Sequence, residues 1–225
     1  MTTAANRQKV YEKIFSFMSE QSLNTLPVSM ERISSILNAK IVKLSDITIQ
    51  TGLSEDQIFA VWGNKDGGVM ACHTNGEFKY KIAYNDNMPK ERIRFTLAEE
   101  CCHIILNHTS DRRFNIFDQS YAEKTYNLYD EEARIAAGIL LCPPQFYYKH
   151  SAKMTIALMC EFYQISEQCA RARKDIYEKY RYEIQSHSFY NNLPRIYINP
   201  NIIREVSLYK IIKEPTTGEV IAITF

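Results

Sequence analysis

No long apolar run occurs in this chain of 225 residues, and neither sign of charge predominates. A helix that crosses a bilayer needs about 20 consecutive apolar residues, and no stretch approaches that. The N-terminal Met-Thr-Thr-Ala-Ala-Asn-Arg-Gln-Lys lacks the apolar core of a secretory signal. With 27 basic against 26 acidic residues, net +1, there is no electrostatic footprint for nucleic acid or an anionic membrane. The six cysteines form no C-x-x-C pair and, without a secretory signal, read as free thiols rather than a disulfide framework. The expectation is a cytoplasmic protein, long enough for one domain of moderate size or a core with an appendage.

A local absence is more informative. Phe95–Leu106, F-T-L-A-E-E-C-C-H-I-I-L, contains no Lys or Arg, yet it carries two adjacent carboxylates and a histidine in an otherwise mostly apolar run. A helix this apolar around most of its circumference is buried, and buried charge must be paired, neutralised or bound to metal. Glu99 and His103, four apart, stand on one helical face, with Glu100 one step round. The layout is that of H-E-x-x-H with Glu99 in the first position, although E-E-x-x-H by itself also occurs on ordinary helices. Cys102, one turn from Glu99, reads as a small buried hydrophobe. His108, just past the helix end, reads as a partner of the helix dipole.

A second segment repeats the anomaly. Asp130–Pro143 is D-E-E-A-R-I-A-A-G-I-L-L-C-P, and Glu132 shares its helical stripe with Leu128, Tyr129, Ile135, Ala136, Ile139 and Leu140. Asp130 and Glu131 can point to solvent. Two helices that each bury an acid fit a metal site with one ligand supplied from a distance. The alternative is that Glu132 pairs with an arginine such as Arg94 or Arg134.

The segment R-I-R-F-T-L-A-E-E-C-C-H-I-I-L-N-H, followed about thirty residues later by E-A-R-I-A-A-G-I-L-L-C-P, resembles the ImmA/IrrE family of bacterial and phage metallopeptidases. Members of that family carry R-F-T-x-A-H-E-x-x-H and then E-A-x-x-F-A-A-x-L-L-M-P. The resemblance implies an α+β, zincin-like fold: a mainly helical core with a small antiparallel sheet. It implies Glu99, His103 and Glu132 as metal ligands and Glu100 as the general base that activates water. The implied ion is Zn²⁺; oxygen-rich coordination shifts preference toward Mn²⁺ or Fe²⁺. The implied partner is a transcriptional repressor. The chain departs from the family at position 99, where members have His; a second carboxylate ligand leaves the metal less electrophilic.

Residues 1–150 are assigned to the metallopeptidase core. In it the sequence predicts helices at 6–22, 30–37, 90–107 and 120–141, a helical turn from Ser54 to Trp62, and strands at 41–44, 69–73 and 78–84. The last two strands join through an Asn75-Gly76 hairpin signal. Either could offer an edge to an extended peptide. Pro143-Pro144 ends the last helix. Residues 151–185 read as a helix-turn-helix-like segment in which basic residues are balanced by acidic ones, and 186–225 as a linker and small β appendage around 196–198, 208–212 and 219–225. Three functions compete: a metal-dependent endopeptidase that cleaves a repressor, an inactive relative that disarms the repressor by binding, and a DNA-binding regulator acting through 155–180. The net charge counts against the third.

Overall fold

Capping residues fix many of the helix boundaries. Residues 3–72, 79–110, 119–199, 210–213 and 220–224 are described by a computed structural model. They gather into two compact units, Met1–Val10 with Met30–Ala137 and Tyr11–Ser29 with Gly138–Phe225. The division falls inside the first and sixth helices.

In the first unit a three-stranded sheet lies among helices α2 (Met30–Ile36), α3 (Leu44–Thr51), α4 (Glu55–Trp62), α5 (Lys90–Ile105) and the N-terminal part of α6 (Gln119–Leu141). Ser54 starts α4 with a reciprocal capping box to Gln57, and Gly63 ends it in the left-handed conformation. Helix α3 was not expected: its N-cap, Lys43, makes no side-chain bond, and Ile47, Thr48 and Ile49 weaken the helical signal. Its first turn is held from a distance, because Asp86 accepts hydrogen bonds from the Ser45 backbone N–H at 3.1 Å and from Ser45 Oγ at 2.6 Å.

The sheet order is β2 (Ala39–Lys43), β4 (Tyr80–Tyr84), β3 (Gly67–Ala71). β3 and β4 form the expected antiparallel pair; the Asn75-Gly76 turn lies outside the described residues. β2 runs parallel to β4, so the sheet is mixed rather than wholly antiparallel. Parallel neighbours need a long crossover, and the stretch holding α3, α4 and β3 supplies it. Ile82 on β4 and Ala98, Cys101 and Cys102 on α5 are fully buried, Cys102 as the small hydrophobe expected.

The second unit contains residues 11–20 of α1 (Ala4–Glu20), the C-terminal end of α6, α7 (Pro144–His150), α8 (Ile156–Tyr163), α9 (Glu167–Lys179) and α10 (Arg181–Gln185). The proline pair ends one helix and begins another: Pro143 is the N-cap of α7 and Pro144 its first residue. Thr155 and Ser166 cap α8 and α9 through their side chains, on either side of the turn expected at 164–166. Arg173 is spent on packing, almost fully buried over the Tyr177 ring and against Gly138. Ile198 belongs to β5 (Tyr197–Ile198), which pairs in parallel with β1 (Thr25–Leu26). Farther on, β6 (Lys210–Lys213) and β7 (Val220–Thr224) form an antiparallel pair. Among the described residues, no helix is long and apolar enough to cross a membrane.

Gly67 supplies a test of the sheet–helix contact. A Cβ there would overlap the Ala83 carbonyl oxygen and stand 2.9 Å from Thr96 Cγ2, whereas at Gly68 it would meet nothing within 4 Å. Gly67→Ala is expected to destabilise by about 1–3 kcal/mol through overpacking. Gly68→Ala is expected to change stability far less; urea unfolding midpoints of the two variants measure the contrast.

Candidate metal centre

Helix α5 positions Glu99, Glu100 and His103. Its end is set by Asn107, in the left-handed region at φ 66°, where Asn is tolerated better than most residues. The chain then turns through a short 3₁₀ segment, His108–Ser110, which brings His108 back against the helix. His108 Nδ1 lies 3.1 Å from His103 Nδ1, and its Nε2 lies 3.1 Å from Glu132 Oε2. Tyr129 stacks on the His108 ring at 4.3 Å between centroids. Both imidazoles are buried.

This relay specifies a tautomer. A carboxylate only accepts, so a neutral His108 donates from Nε2 and its Nδ1 accepts from His103 Nδ1–H. The Nε2 of His103, carrying no proton, is presented toward Asp130, whose Oδ1 is 3.7 Å away. Burial first, then the neighbouring His108 and Arg134, pushes the His103 pKa down to about 3, so the ring is neutral at pH 7.

The first unit thus uses the sequence-predicted residues differently. Glu132, expected as the distant ligand, bonds to His108. Asp130, expected in solvent, is the α6 acid that faces His103. Two residues apart on a helix, the two acids diverge by about 200°, so each serves a different imidazole. Glu99 Oε1 accepts from Arg134 Nε at 3.0 Å, and Arg134 Nη2 is 3.8 Å from Asp130 Oδ2. Arg134, weighed in the sequence as a partner for Glu132, therefore pairs with Glu99. As placed, no three His, Cys, Asp or Glu side chains among the described residues form a metal-holding group.

His103 Nε2 and Asp130 nevertheless fit one. A separation of 3.7 Å suits two ligands bonded to a single ion at about 2.0–2.2 Å each, and the His108–Glu132 chain is the outer support that orients a ligating imidazole. Glu99, the remaining candidate, is engaged by Arg134. Two signals for this arrangement were present in the sequence: the Asp130–Arg134 spacing of four and an asparagine where a helix turns back on itself.

Glu100 occupies a separate niche. The ladder bonds Asn85 N–H to Asp66 O and Cys72 N–H to Lys79 O fix the parity of β3, so Gly67, Val69 and Ala71 turn their main-chain groups away from β4. The Val69 N–H meets Glu100, which therefore sits at the open side of the edge strand. Burial, reinforced by Glu99 and Asp130, pushes the Glu100 carboxyl up to about 8. Burial also raises the Glu99 and Asp130 carboxyls, with Arg134 opposing it in both.

Residues 63–174, which hold β3, α5 and the functional part of α6, match the family model described as the IrrE N-terminal-like domain, a peptidase family. The chain belongs to the ImmA/IrrE family. No curated protein sequence matches it significantly. The matched segment covers every residue of the centre just described.

The low pKa of His103 has a consequence for stability. Below pH 6.5 the unfolded chain binds a proton at this position that the folded chain refuses until about 3, so stability from His103 is lost as pH falls through that window. Glu100, raised in the folded state from 4.5 to about 8, works in the opposite sense, adding stability as pH falls between those values. Comparing native protein with His103→Asn isolates the first effect. Urea unfolding at pH 7, 5 and 4 is expected to show the native protein losing relative to the variant by several kcal/mol on the order of 1.4 per pH unit.

Proposed function

We propose that the chain is a metal-dependent endopeptidase of this family, acting on a transcriptional repressor. The observation that carries this reading is the position of Glu100: a carboxylate with a near-neutral pKa, on the open side of an edge strand and one turn from His103. His103, Asp130 and Glu99 would hold the ion, Zn²⁺ or, given two carboxylates, Mn²⁺ or Fe²⁺. Such an ion supplies Lewis acidity at the scissile carbonyl.

The remaining steps belong to the protein. An extended peptide would add along the side of β3 not paired with β4, through main-chain groups other than the Gly67 N–H, which Asn64 holds, and the Val69 N–H, which Glu100 holds, gaining affinity independent of side-chain sequence. Glu100 takes a proton from the attacking water and returns it to the leaving amine; its value of about 8 keeps the proton exchangeable in both directions near neutral pH. The His108–Glu132 chain holds His103 in one tautomer. The repressor as substrate rests on the family resemblance.

A second reading is favoured by one specific contact. With Glu99 committed to Arg134, the protein would be a non-catalytic relative that disarms its repressor by binding. One experiment separates the two. Purified protein supplied with Zn²⁺ or Mn²⁺ is expected to cleave a repressor encoded beside it, with products identified by mass spectrometry. Glu100→Gln is expected to lower the rate by roughly 10²–10⁴-fold while leaving metal content unchanged. Stoichiometric repressor binding without cleavage, unaffected by Glu100→Gln, would establish the second reading instead.

A further inference from the structure

We propose that Arg134 is a built-in counter-cation, occupying the acids of the metal centre and competing with a divalent ion for them. The inference rests on the metal-site reading above and assigns that site a regulating residue. The guanidinium spans two helices: Nε donates to Glu99 Oε1 of α5 at 3.0 Å, and Nη2 lies 3.8 Å from Asp130 Oδ2, one turn back on its own helix. These are the two carboxylates that would join His103 around an ion. Together with Glu100 they crowd three acids into one partly buried region, where Asp130 opposes ionisation of Glu99 and both oppose ionisation of Glu100. A positive charge favours the ionised acids there, and in this arrangement Arg134 provides it.

Exposure makes the latch releasable. The Arg134 side chain is 60% exposed while that of Glu99 is 17% exposed. The acids are therefore held in place by the fold, whereas the arginine reaches in from solvent and can swing back out, its charge rehydrated. An arriving divalent ion repels the guanidinium at close range and takes over the same oxygens. The expected result is metal affinity lower than the donors alone would give, with binding and arginine release as one event. Arginine suits the role better than lysine, because its planar fork addresses two carboxylates at once.

The test is metal binding, not catalysis. Zn²⁺ and Mn²⁺ affinities are measured by competition with a chromophoric chelator for native protein, Arg134→Gln, Arg134→Lys and His103→Ala, with circular dichroism to verify folding. Arg134→Gln is expected to bind each ion at least tenfold more tightly than native, and Arg134→Lys to fall between them. Without metal, Arg134→Gln is expected to melt below the native protein, and with metal to gain more in melting temperature than native does. Equal or weaker affinity in Arg134→Gln, with His103→Ala binding less than either, would overturn the latch and leave the metal site standing. If native protein and Arg134→Gln bind no better than His103→Ala, the site itself is refuted, and the latch with it.

Discussion

A carboxylate withdrawn from water must find a proton or a positive charge, and the first unit brings three of them together where α5 and α6 face each other. Much else in that unit answers this constraint. Glu99 and Asp130 share Arg134, Glu100 is held close to neutrality and anchored to the edge strand, and Glu132 is tied to a histidine. Such a cluster is poor material for stability, since buried ion pairs recover little more than they cost in desolvation. Its value is chemical: perturbed carboxylates beside a neutral imidazole at an open strand edge form an environment suited to proton transfer.

The imidazole relay shows how geometry translates into chemistry. Glu132 could not orient His103 directly, because its carboxylate lies on the far side of His108. Through His108 it fixes which nitrogen of His103 bears hydrogen, and so which nitrogen is presented to Asp130. Tyr129, stacked on His108, closes the relay from the other side. An imidazole held this way keeps one orientation.

Glu99 and Arg134 make sense only together. A glutamate in the first ligand position adds negative charge, and an arginine on the facing helix compensates for it. Read singly, Glu99 weakens a metal site and Arg134 is an ordinary surface residue. Read as a pair, they form an ion pair that joins α5 to α6. The small residues Ala98, Cys101, Cys102 and Ala133 of the two helices are completely buried.

The sequence by itself determined the helices that carry the centre, the hairpin strands beside them, the buried character of the motif face and the family, because periodicity, caps and local spacing depend only on near neighbours in the chain. Helix α3 and the parallel partner of β4 were not legible: the first is capped by Asp86, 41 residues from Ser45, and the second by a crossover whose closure no local pattern records. Which acid of α6 faces His103, what His108 touches and where Arg134 reaches were decided only by the tertiary structure. A helical stripe gives the direction of a side chain to within a sector, while a hydrogen bond requires the facing helix to be placed to within an ångström.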